Sequence, residues 1–162
     1  MMCKGFLLGG TAGRTTLNGE GLQHQDGHSH ILASTVPSLL SYDPAFGYEV
    51  AVIVREGMRR MYEDQEDIFY YLTLYNENHL MPDMAEVLAA TNQSQEGLVQ
   101  GILQGGYCFS RTSEAPAQIH LLSSGSIMQQ VMAAASQLES MGFKVAIWSM
   151  TSFVELQRQA MA

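Results

Sequence analysis

The chain has 162 residues and carries eight Lys and Arg against sixteen Asp and Glu, a net charge of −8. A nucleic-acid groove or an anionic membrane surface is excluded as the main partner, because either needs a basic patch that so few cations do not build. Its 46% apolar content suits a core, whereas 15% charged residues fall well short of the usual quarter or so and point to surface that something else covers.

The N-terminal MMCKGFLLGG holds one strand, Phe6–Leu8, and is too short for a secretion signal. No apolar stretch reaches 18 residues, and Cys3 and Cys108 lack the CxxC spacing of a zinc knuckle. Two free thiols and eleven Met fit a reducing compartment, so the expectation is a soluble, cytoplasmic protein. Residues 9–30 read as a long ordered loop, since Gly9, Gly10, Gly13, Gly19, Gly21 and Gly27 hold helix propensity down.

Pro37 to Pro44 reads as a strand end and turn, with Asp43-Pro44 capping a following helix. Tyr48, Val52, Arg55, Met58, Arg59 and Tyr62 follow the helical period, with Ala51, Val54 and Met61 widening that face. Asp67–Tyr75, DIFYYLTLY, is an uninterrupted β-prone run, the pattern of a parallel strand covered on both faces, which completes a βαβ crossover. Asn76–Ala117 is dominated by Gln, Ser, Gly and Thr and reads as a linker with one short helix near Ser94–Leu103. The pattern then restarts with a strand at Gln118–Leu122, a Ser-Ser-Gly-Ser turn and a helix from Ile127 to Met141. Gly142 stops that helix, a strand at Phe143–Ser149 follows, and a last helix runs near Phe153–Gln159. The fold class is α/β, two partial three-layer units joined by a polar linker.

Chemistry concentrates in Gly19–His30, GEGLQHQDGHSH. Imidazole suits acid/base work near neutral pH, and Glu20 offers a carboxylate partner. Three readings stand open from the residues alone: an acid/base and substrate-binding loop, a metal site made by His24, Asp26, His28 and His30, and a plain surface turn. Asn76-Glu77-Asn78-His79 follows a strand end and reads first as turn and cap residues. LLSSGS (121–126) resembles a phosphate loop without its glycine spacing or its lysine, so Ser124 or Ser126 is read as a cap.

GRTTLNGEGLQHQDGHSH resembles the decarboxylating first component of the homodimeric, bacterial-type pyruvate dehydrogenase complex, a transketolase-like family. The resemblance continues through SYDPAFGYEVAVIVREGMRRMY, YYLTLYNENHLMP and LLSSGSIMQQVMAAASQLESMGFKVAIWSMTSFVEL, essentially the whole chain. It implies the end of a pyrimidine-binding domain over residues 1–82, a linker over 83–117, and the first half of a C-terminal-like domain over 118–162. The implied reaction is oxidative decarboxylation of pyruvate with thiamine diphosphate and Mg2+, followed by acetyl transfer to the lipoyl group of the second component, in a homodimer. His24 matches the histidine expected to hold the pyruvate carboxylate and move a proton, and Glu20 an active-centre carboxylate. Asp26, His28 and His30 are expected to shape the loop.

Gln25 stands where the family resemblance implies an acid, and His79 where it implies an aromatic ring. The cofactor's activating glutamate is expected upstream of Met1, and the metal-binding GDG does not occur here. The expectation is therefore a piece of a longer enzyme that holds neither cofactor nor metal and is inactive by itself. A non-catalytic interaction or dimerisation module and a His-loop metal protein remain as alternatives.

Overall fold

The computed structural model describes residues 3–10, 26–75, 78–113 and 116–162. Its first sheet is all parallel, in the order β1 (Phe6–Gly10), β3 (Phe69–Leu74), β2 (Leu39–Tyr42), with Leu8 opposite Leu72 and Tyr42 opposite Leu72 on the other side. The central strand β3 lies within the DIFYYLTLY run, and none of its residues is exposed on either face, which is why it tolerates near-continuous apolar residues. A second sheet, in the order β4 (Tyr107–Arg111), β6 (Val145–Ser149), β5 (Ile119–Ser123), pairs β5 parallel and β4 antiparallel to β6. The helices α2 (Gly47–Met58) and α5 (Met128–Ser140) make the two βαβ crossovers. Both crossovers agree with the sequence pattern, and so does the closing helix α6 (Phe153–Met161).

Three expectations need correction. The loop assigned to residues 9–30 is shorter: β1 runs on to Gly10, and Ser29 and His30 open α1 (Ser29–Ser34). The segment read as a linker holds α3 (Met84–Thr91), α4 (Gln95–Gln104) and β4, rather than one small element. Its local signals are strong. Asp83 accepts from the Glu86 amide while the Glu86 carboxylate accepts from the Asp83 amide, and Ser94 accepts from the Gly97 amide. Val87, Leu98 and Ile102 then bury fully, at spacings that the polar composition hid.

The third correction concerns the face of α2. Arg55, Met58, Arg59 and Tyr62 are exposed, and the buried line is Phe46, Glu49, Ile53, Gly57 and Met61. Phe46 and Ile53 stack into a cluster that joins Tyr42, Tyr70 and Leu72 of the first sheet to Tyr107, Phe109, Val145 and Ile147 of the second. One apolar core therefore serves both sheets. Gly105 lets them close: at φ +108 it ends α4, and a Cβ there would overlap the Ser152 carbonyl at the start of α6.

Glu49 lies at the centre of this junction, 0% exposed. Its Oε2 accepts from the amides of Ala45 (2.5 Å) and Phe46 (3.1 Å), and its Oε1 from Tyr107 Oη and Ser149 Oγ, both at 2.6 Å. Burial outweighs these four donors and pushes its carboxyl above the ordinary range. A carboxyl raised on folding favours the native state most below its unfolded pKa, and that advantage fades as pH rises through the folded value. Glu49→Gln places an amide N–H among donors and should cost about 1–3 kcal/mol of stability. In urea unfolding, the advantage of the wild type over Glu49→Gln should widen as pH falls from neutral toward the ordinary carboxylate range; widening toward alkaline pH would show that the donors dominate instead.

Candidate functional site

The carboxyl ends of the parallel strands in both sheets converge on one residue, Asp43, which follows β2. Its amide donates to Thr151 O (2.8 Å) after β6, and its carbonyl accepts from the Gly125 amide (3.2 Å) after β5. The side chain, in a residue only 6% exposed, accepts from Thr73 Oγ1 (2.5 Å) and Tyr75 Oη (2.6 Å) on Oδ1 and from Ser124 Oγ (2.7 Å) on Oδ2. A buried carboxylate needs such donors, since an unpaired one is heavily penalised. Asp43 is thus a junction between the sheets and not the helix cap expected from Asp43-Pro44. Ser124 likewise donates to Asp43, and no side-chain cap bond closes the turn Gly125–Ile127.

The LLSSGS turn does not suit an anion. Gly125 has φ +52, and a Cβ there would lie 2.7 Å from Tyr75 Oη and 2.9 Å from Asp43 Oδ1. The Gly125 amide is already spent on the Asp43 carbonyl, and the carboxylate beside the turn repels a second negative charge.

The histidine segment arrives at this junction. Asp26 Oδ1 accepts from the amides of Ser29 (3.1 Å) and His28 (3.3 Å), and its other oxygen accepts from the Ser29 hydroxyl, which caps α1 from two residues before His28. Burial raises its carboxyl, yet the Ser29 and His28 bonds together hold it below the ordinary range. His28 is exposed, whereas His30 turns inward, with Nε2 3.0 Å from Thr73 Oγ1 and its ring 5.3 Å from that of Tyr71. His24 and Glu20, and also Gln25, lie outside the described residues. Of the five residues singled out in the loop, the structure therefore brings His30 to the strand ends, gives Asp26 a capping role and leaves His28 at the surface.

A cavity of about 310 Å³ opens beside Asp26, Ser29, His30, Ser34, Phe153 and Gln157. A smaller one, about 90 Å³, lies behind His30 against Asp43, Ser124, Met150 and Ser152. The His30 ring lines both. Among the described residues no three His, Cys, Asp or Glu side chains converge as a metal site. Sequence reasoning passed over Thr73 and Glu49 and saw in Asp43 only a cap, though a threonine inside an otherwise apolar central strand was a signal that its hydroxyl has a partner.

His79 stands where the resemblance implies an aromatic ring, and the structure shows the cost of an imidazole there. Both ring nitrogens are shut away from solvent with no hydrogen-bond partner among the described residues. His79→Phe should raise stability by about 1–3 kcal/mol, the penalty of an unsatisfied buried polar group, as read by thermal unfolding. Gly125→Ala should lower it by about 1–3 kcal/mol, because alanine is strained at positive φ and crowds Asp43 and Tyr75; a variant as stable as the wild type would contradict that close approach.

Comparison with known proteins agrees with this architecture. Residues 1–82 match the family model of the pyruvate dehydrogenase E1 component middle domain, and residues 105–162 that of the transketolase-like TK C-terminal domain. The chain is 50% identical over 160 residues to the pyruvate dehydrogenase E1 component of Pseudomonas aeruginosa, covering 98% of this chain and 17% of that one. It is 49% identical over 157 residues to the pyruvate dehydrogenase E1 component of Escherichia coli, covering 96% and 17%. The chain thus spans about a sixth of the length of these relatives. Transketolases of Campylobacter jejuni (TM-score 0.60, 19% identity, 94% of this chain and 21% of that one) and Leishmania mexicana (0.61, 18%, 85% and 18%) share the fold. With its first 82 residues matched to the middle domain and its overall fold transketolase-like, the chain belongs to the pyruvate dehydrogenase E1 component family.

Proposed function

We propose that the chain supplies middle-domain and C-terminal-like parts of an enzyme that decarboxylates pyruvate oxidatively with thiamine diphosphate and passes the acetyl group to a lipoyl group on the acetyltransferase component. The observation that carries this reading is the delivery of the histidine segment, through α1 and His30, to the carboxyl ends of β2 and β3. Open α/β sheets take ligands at such strand ends. In this reading residues 1–82 form the end of the pyrimidine-binding unit and residues from 118 the start of the C-terminal-like unit.

His24 is assigned to the substrate carboxylate and to proton movement beside it, and Glu20 to the same pocket, where a positioned imidazole is suited to acid/base work. Asp26 and His30 shape the approach of that segment. The residues present do not fit the cofactor's metal-diphosphate end: Asp43 faces the Gly125 turn, and no metal-ligand group converges among the described residues. Mg2+ and the diphosphate are therefore assigned to other parts of the enzyme, and the 162-residue chain alone to no turnover.

Homodimerisation fits the exposed apolar residues Leu7 and Leu8 on β1 and Ile31 and Leu32 on α1, which ask for cover. None of the described helices is long and apolar enough to cross a membrane, and the reading places the enzyme in the cytoplasm.

The test exchanges the matching segment of the Pseudomonas aeruginosa protein for this chain and measures pyruvate-dependent acetylation of a lipoyl domain. The chimera should turn over. His24→Ala in it should lower kcat by about 10²–10⁴-fold, the range of a lost acid/base group, while thiamine diphosphate affinity stays nearly unchanged. A folded chimera without turnover, or a His24→Ala chimera with normal turnover, would defeat the reading.

A further inference from the structure

Thr73 is 1% exposed at the carboxyl end of β3, and its hydroxyl carries one proton. Three neighbours surround Oγ1: Asp43 Oδ1 at 2.5 Å, His30 Nε2 at 3.0 Å and Tyr42 O at 3.4 Å. The carboxylate is the closest acceptor, and charge-assisted bonds are the stronger ones, so the Thr73 proton goes to Asp43. A lone pair of Oγ1 then faces His30 Nε2. An unprotonated Nε2 would set acceptor against acceptor in a buried place, whereas an Nε2–H satisfies both atoms.

Asp43 does not yield easily in this arrangement. Tyr75 and Ser124 hold its carboxylate, and Thr151 and Gly125 hold its backbone, so residues from three strand ends, those of β3, β5 and β6, fix the far end of the chain of bonds. At the near end, Asp26 caps the same turn of α1 that carries His30. The ring is clamped between a rigid acceptor and a capped helix start, with a cavity on either side.

We propose that Asp43 is a positioning residue that acts through Thr73: it selects the His30 tautomer protonated on Nε2, and so fixes the ring and the direction from which the histidine segment reaches the strand ends. Its meaning for catalysis rests on the functional reading above; the tautomer choice does not.

The experiment is a long-range ¹H–¹⁵N correlation spectrum of the histidine rings in the 162-residue chain, at a pH where they are neutral, with His30 assigned by its loss in His30→Gln. The wild type should show His30 with its proton on Nε2. Thr73→Val should lower the ratio of Nε2–H to Nδ1–H forms about tenfold, the equivalent of one net hydrogen bond, and Thr73→Ser should restore it. A proton on Nδ1 in the wild type overturns the proposal, and that spectrum decides even if Thr73→Val fails to fold. An unchanged ratio in folded Thr73→Val overturns it as well. In an active chimera Thr73→Val should lower kcat on the order of tenfold or more with the KM for pyruvate little changed, and Thr73→Ser should recover it; an altered tautomer with unaltered kcat overturns the positioning role. An inactive chimera would defeat the functional reading and leave the tautomer result to stand by itself.

Discussion

A carboxylate taken out of water must be surrounded by donors, and at Asp43 those donors come from both sheets. Thr73 and Tyr75 reach it from the end of β3, and Ser124 from the end of β5. Its backbone ties β2 to the turns that follow β5 and β6. The burial of one charge therefore dictates how the two sheets face each other, because moving them apart strands the carboxylate. The candidate site depends on the same residue, since His30 meets the strand ends bonded to the threonine that Asp43 holds.

Glu49 repeats the device one layer deeper. It closes the start of α2 with two backbone amides and accepts Tyr107 and Ser149 from the second sheet. Around it the core is continuous, from Tyr42 and Leu72 to Phe109 and Ile147, so the two βαβ units pack as one body. A core shared in this way explains why α3 and α4 are ordered. Val87, Leu98 and Ile102 are fully buried within it.

Much of this was legible in the residues. The period-2 and apolar runs marked β1, β3, β5 and β6, Gly142 marked the end of α5, and the GEGLQHQDGHSH segment carried the family resemblance. The misreadings have a common cause. On α2 the helical period was right and its phase was wrong, because the buried line includes a Glu whose side-chain partners, Tyr107 and Ser149, lie far along the chain. Between residues 76 and 117 the helix after Ser94 was read, but a polar composition outweighed the cap at Asp83 that was in plain sight. Asp43 looked like a cap because it stands before Pro44 at the start of a helical pattern, and its side-chain partners lie as far as 81 residues away.

The sequence by itself determined the α/β class, the two crossovers and the family, because periodicity, punctuation by glycine and proline, and a dense local motif are all short-range properties of a chain. Only the tertiary structure decided which polar residues matter. Asp43, Glu49, Thr73 and His30 derive their roles from partners that are distant in sequence, and a hydrogen bond between such partners has no local signature. Among the described residues Asp43 and Glu49 are buried acids, and each is held by donors that lie far from it in sequence.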